Sequence, residues 1–325
     1  QVINAKPYLS DPYFYRGLAK INLDDFQGAE SDCSEAIERN PFVVSAYQVR
    51  GLARIQQNNF AGAIEDYTKA LEFAPENIGV WHNMALCRIR QEDYKGAKND
   101  LDKLIAISPR YTKAYLMRGE VDLKQKDTLA AEKDFGKAIE IDRYDADTWA
   151  SRAILRLQQQ RYKDAEADFD HAIRLSTRNS GVYINRALAR YHQNNLRGAM
   201  SDYDIALDID PNNFIGHYNR GLLRAQVGDD NRAIQDFNFV IEMEPDNMMA
   251  IFNRGLLLDQ TGDYKGAIKD YSTVINEYPN FLLGYQYRAQ ARRKIGDVKG
   301  ADADEFKVLK AQLDKQNGVD PNKQT

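Results

Sequence analysis

Little in this 325-residue chain points to chemistry. There are two cysteines, Cys33 and Cys87, and four histidines, His82, His171, His192 and His217. The cysteines fall at inward-facing positions of the pattern described below. They read as small buried hydrophobes, and unpaired thiols suit a reducing compartment better than a disulfide framework. The histidines are scattered without metal-ligand spacing and read as surface or groove residues, so no metal site is expected. No Walker loop, dinucleotide fingerprint or Ser-centred nucleophile elbow occurs, so neither catalytic residues nor a cofactor is expected. Basic excess is missing as well: 44 Lys and Arg against 48 Asp and Glu leave a net charge of −4. That balance argues against a nucleic-acid partner, which needs a basic face. No apolar run approaches the roughly 20 residues that span a bilayer, and no signal peptide opens the chain.

What is present is a period. Tyr218-Asn219-Arg220-Gly221 becomes Phe252-Asn253-Arg254-Gly255 thirty-four residues on, and Ala233-Ile234 becomes Ala267-Ile268. Number each unit 1 to 34, with position 1 at Ser10, Val44, Ile78, Thr112, Ala146, Ser180, Phe214, Met248 and Leu282. Nine repeats follow in register over residues 10–315. Position 20 is always alanine, position 8 always Gly or Ala, and positions 4 and 24 are mostly large aromatics. At helical spacing, positions 4, 8 and 11 share one stripe, and 20, 24, 27 and 28 share another. Small residues at 8 and 20 let two antiparallel helices approach, and the aromatics fill the space beside them. Positions 15 and 16 are rich in Asp, Asn and Gly (Asn58-Asn59, Gly228-Asp229), the residues that end one helix and cap the next. Pro at position 32 in six repeats stops the second helix, while Arg143 and Thr177 break that rule.

These features resemble the tetratricopeptide repeat (TPR) family in its long bacterial form. The resemblance implies an all-α fold: a right-handed α-solenoid superhelix of helix-turn-helix units. Residues 1–9 match the tail of a preceding repeat's second helix, so the chain reads as part of a longer array. At the other end, Asp302, Asp304, Lys307 and Lys310 suggest a capping helix with a polar outer face. Residues 316–325 read as a linker or disordered tail.

One departure from the family pattern stands out. Position 7, usually leucine in the family, is Arg in eight of nine repeats, and position 23 is Asp in all nine. The pairs Arg186/Asp202, Arg220/Asp236 and Arg254/Asp270 exemplify a structural ladder, because a guanidinium fork holds a carboxylate bidentately. Whether the pairs lie within or between repeats is left open. In the third repeat Met84 takes position 7, and Arg88 at position 11 still supplies a guanidinium.

The resemblance further implies that first helices line a concave groove through positions 2, 5, 6, 9, 12 and 13. Candidate partner-binding residues there are Asn83, Asn185, Asn219 and Asn253, whose amides can bond an extended peptide backbone. Ile215, Met249, Tyr218, Phe252, Leu222 and Leu256 are the apolar candidates, with the emphasis on repeats six to nine. The clamp for a chaperone tail's carboxylate is incomplete, because Gln48, Leu52 and Met117 occupy clamp positions. The expected function is a non-enzymatic scaffold that binds a protein or peptide. The alternatives are a self-association module forming a homo-oligomer, and the substrate-recruiting arm of a larger enzyme or envelope complex. Neither nucleic acid nor membrane insertion is expected. Location stays open between the cytoplasm and, given an upstream signal, the bacterial envelope.

Overall fold

The computed structural model describes residues 6, 8–175 and 178–316. The described residues form eighteen helices and no strand. They fall into two compact units, one ending at Gln158 and one starting at Gln159. The first unit holds α1 (Asp11–Ile21), α2 (Phe26–Arg39), α3 (Val44–Gln56), α4 (Phe60–Phe73), α5 (Ile78–Arg90), α6 (Tyr94–Ile107), α7 (Thr112–Lys124), α8 (Thr128–Ile141) and α9 (Ala146–Gln158). The second holds α10 (Tyr162–Arg174), α11 (Ser180–His192), α12 (Leu196–Ile209), α13 (Phe214–Gln226), α14 (Asp230–Met243), α15 (Met248–Thr261), α16 (Tyr264–Glu277), α17 (Leu282–Lys294) and α18 (Val298–Gln316). Inside each unit, helices adjacent in sequence pack side by side, which makes each an α-solenoid.

The turn inside each repeat has one construction. Position 15 has positive φ throughout, from Asp24, Asn58, Glu92, Lys126, Gln160 and Asn194 to Gly228, Gly262 and Gly296. This left-handed residue closes the first helix. Position 16 then caps the second: Asp25, Asn59, Asp93, Asp127, Asn195 and Asp263 each accept from the backbone N–H three residues on. Two residues break this pattern: Asp229, expected as a cap, makes no side-chain cap hydrogen bond, and the guanidinium of Arg161 instead bonds Asp164, which stands where the capped residue would be.

Burial explains the small residues. Position-20 alanines such as Ala63, Ala199 and Ala233 are wholly buried. A methyl on Gly51 would lie 2.7 Å from the Tyr67 ring, and one on Gly119 2.6 Å from Phe135. Position 8 is therefore small because the aromatic at position 24 lies across it. Tyr67, Phe135, Phe169, Phe237 and Tyr271 are the largest fully buried side chains.

The ends differ from expectation. Most of residues 1–9 and 316–325, and Thr177, lie outside the described residues, so the tails and that junction are not described. The expected polar outer face of α18 is corrected. Ala301, Asp304 and Val308 are buried, but Phe306, Leu309 and Leu313 stand exposed in a row. The charged residues of this helix interrupt the sequence without breaking the three- and four-residue spacing that aligns those three apolar ones. Leu313 also replaces the proline of position 32, so α18 runs on for 19 residues.

Candidate functional site

The Arg–Asp pairs lie within repeats. Position 7 donates Nε and Nη2 to the two carboxylate oxygens of its own position 23. Arg186 meets Asp202 at 2.9 and 2.6 Å, Arg220 meets Asp236 at 3.1 and 2.8 Å, and Arg254 meets Asp270 at 2.7 and 2.7 Å. Arg16/Asp32, Arg50/Asp66, Arg118/Asp134 and Arg288/Asp304 repeat the fork. The remaining Nη1 reaches back to position 25 of the preceding repeat. Arg186 finds Asp170 there, Arg220 finds Asp204, Arg254 finds Asn238, and Arg50 and Arg288 find Ser34 and Ser272. The ring at position 4 completes the seat, as where Arg186 lies 5.5 Å from the centre of Tyr183. Each such arginine thus ties its two helices together and to the repeat before.

His217 belongs to this network, contrary to its reading as a surface or groove residue. Its Nδ1 lies 2.9 Å from Asp236 Oδ1 and its Nε2 3.1 Å from the Pro211 carbonyl, and the ring stacks on Phe239. Asp236 therefore receives Arg220, Arg224 and His217 together.

Two features escaped the sequence reading. Asp122 is a buried acid at position 11, where the pattern places a base, and it pairs with Lys98 of the preceding repeat at 2.5 Å. Other junctions carry the same pair with the charges exchanged, Glu30 with Arg54 between the first two repeats and Glu132 with Arg156 at the next junction on. A sign change at a repeated position was the signal available. The second feature is Asp100. Without an arginine at Met84, only its Oδ1 is bonded, by Arg88 at 2.9 Å, and Oδ2 is buried without a partner. Burial, reinforced by the charge of Asp93 and only partly offset by Arg88, pushes the Asp100 carboxyl up to about 7.

On the first-helix face of the second unit, the position-2 residues Ile215 and Met249 are 50% and 65% exposed, and Leu283 is exposed too. Leu222 is exposed, while Leu256 is half-buried among Phe252 and its neighbours. Asn185 and Asn219 are half-buried, and their amides bond no other described residue. Asn83 is half-buried in the first unit. Two candidates are turned inward. Phe252 is 9% exposed, because Tyr271, Phe281 and Tyr287 close round its ring. Asn253 donates to the Tyr218 hydroxyl at 3.1 Å, a bond between repeats. Tyr218 is half-buried, edge-on to Phe237. Charge is sparse on this face. Of positions 2, 5, 6, 9, 12 and 13 on α13, α15 and α17, three are charged, and all three are paired: Lys294 with Asp259 at 3.1 Å, and Arg293 with Asp302 and Glu305.

Among the described residues, no group of His, Cys, Asp or Glu is placed to hold a metal ion, and no helix is long and apolar enough to cross a membrane.

Profiles described as tetratricopeptide repeat match residues 16–78, 151–214 and 218–280, with further matches at 54–117 and 112–145. Similar solved structures include a tetratricopeptide repeat protein from Parabacteroides merdae, 21% identical with a TM-score of 0.58, covering 77% of this chain and 98% of that one. The C-terminal part of a TPR repeat-containing protein from Cytophaga hutchinsonii is 17% identical with a TM-score of 0.59, covering 73% and 97%. Pseudomonas aeruginosa pilF is 19% identical with a TM-score of 0.56, covering 67% and 97%. No curated protein matches the chain. The structural likenesses are ones of fold. One profile alone spans more than half of the sequence, so the chain belongs to the tetratricopeptide repeat family.

Proposed function

We propose that this chain is a non-enzymatic scaffold that holds a protein or peptide segment against the first-helix face of repeats six to nine. One observation carries the reading. In a chain that is 28% charged, this face carries few charges, those on α15 and α17 are paired, and it sets the unbonded amides of Asn185 and Asn219 beside exposed Ile215, Leu222 and Met249. Free amides suit a peptide backbone, and exposed aliphatic side chains gain from being covered. The ladder acids favour a non-catalytic role, since Asp202, Asp236 and Asp270 are each held bidentately by arginine and buried.

Selection of phage-displayed random peptides on the chain tests the reading. Selected peptides are expected to lose at least about tenfold in affinity with Ile215→Asp/Leu222→Asp, because a carboxylate there disfavours apolar contact. Undiminished binding by the double variant sinks this face as the site.

A further inference from the structure

The first-helix face of the second unit is bordered by a cleft. It lies between the first turn of α15 and the end of α16, with the turn before α17 closing it. Met248, Met249, Phe252, Val274, Tyr278 and Phe281 line its apolar part, and its volume is about 350 Å³. That is within the size of cavities that accept organic ligands or large side chains. The lining is adaptable, since two of its six apolar members are unbranched methionines, of which Met249 is exposed. Met249 also stands in the exposed position-2 row, so the cleft opens onto the face described above.

The same place in the preceding repeat is built differently. There Glu244 and Asn247 occupy the positions held here by Tyr278 and Phe281. Asn247 caps α15 through the Ala250 N–H, whereas Phe281 leaves α17 with no side-chain cap. A polar cap has been exchanged for an aromatic wall.

The surroundings are acidic. Asp246 lies at the rim, and Glu244 and Asp246 line an adjoining depression. Asp246, and Glu277 next to Tyr278, are exposed and make no ion pair with any described residue. The two segments that line the cleft, 246–252 and 274–281, contain no Lys or Arg.

An apolar hollow inside an anionic rim has one complementary ligand chemistry. From this geometry we infer that the cleft takes a large apolar side chain of a partner peptide flanked by lysine or arginine. The inference rests on the peptide-binding reading of the adjacent face, and it names the partner's chemistry. The apolar side chain displaces water from Met249 and Tyr278, and the flanking cations meet Asp246 and Glu277. Attraction between exposed charges falls with salt, so affinity falls with it.

Fluorescence anisotropy with three labelled peptides is the test: Gly-Lys-Lys-Phe-Lys-Lys-Gly, its Phe→Ala analogue, and its Lys→Glu analogue. The first peptide is expected to bind the full chain, the second at least about tenfold more weakly, and the third not detectably. Asp246→Lys/Glu277→Lys, with both positions exposed, should cost about tenfold or more and abolish the salt dependence. Met249→Trp, which fills the mouth from an exposed position, should weaken binding without altering the helical circular dichroism. Three results would each overturn the inference: equal binding of the alanine or glutamate peptide, indifference to both variants, or no binding by the first peptide. If the phage-selected peptides still depend on Ile215 and Leu222 while these lysine peptides fail, the cleft is refuted and the face reading stands.

Discussion

Arg220 shows why one residue type recurs at position 7. It is mostly buried, so its charge has lost much of its water, and only a fully matched set of acceptors offsets that loss. Asp236 fills the fork, Asp204 takes the remaining nitrogen, and the point charge of a lysine would lack the planar fork that holds Asp236 through both oxygens. Removing Asp236 takes from Arg220, Arg224 and His217 the carboxylate they share, leaving Arg220 with Asp204 alone. Urea melts should show Asp236→Ala less stable by about 3–5 kcal/mol, against less than about 0.5 kcal/mol for exposed Glu242→Ala. Equal, negligible losses would mean that the ladder contributes nothing. The third repeat is the converse case. Its carboxylate has a folded pKa raised above the unfolded one, so its contribution is favourable at low pH and is lost as pH rises through about 7. Met84→Arg restores the fork, and Thr68 already stands at position 25 to accept the third bond. The variant should gain about 1–2 kcal/mol over wild type at pH 8 and distinctly less at pH 5. A gain that does not depend on pH would contradict the assignment to Asp100.

At the scale of the helix and its turn, conformation and packing make separate demands. Gly228 has φ +81 with open space around it, so backbone strain alone opposes a side chain there. Gly136 sits inside α8 with nothing within 4 Å of an added methyl. Alanine should therefore act with opposite sign at the two sites. Gly228→Ala should lower stability by about 1 kcal/mol, and Gly136→Ala should raise it by about 0.5–1 kcal/mol, as read from thermal melts. Losses of equal size at both would show that something other than backbone geometry governs the turn. Turns, caps and helix ends were legible in the sequence because each depends on a few adjacent residues. The inward turn of Phe252 was not, since it depends on Phe281 at the far end of its own repeat and on Tyr287 from the following one. The outer face of α18 was misread because counting charges ignores the angle at which each leaves the helix.

Over the whole chain, the family and the register were legible because each feature is written nine times, and the Arg–Asp pairs were legible because both partners keep their positions. Less of the interaction face could be read. Asn185, Asn219 and Asn253 occupy equivalent positions, yet the last is spent on Tyr218, and only the neighbouring repeat's side chains distinguish them. The acceptors at position 25 escaped notice for a related reason: Ser, Asp and Asn all satisfy the same guanidinium nitrogen, so no single residue type marks the position.

The inverted pair Lys98/Asp122 bears on how such a chain can be rearranged. Uniform register would otherwise let any 34-residue module be lost or copied without a frame change. Excising residues 112–145 would bring Lys98 against Arg156, two cations at a half-buried contact, and excising 78–111 would set Asp122 against Ile64 with no cation. The exchanged charges thus act as a junction mark. They tie the third and fourth repeats to each other and oppose recombination at the one place where the neighbouring code reads in reverse.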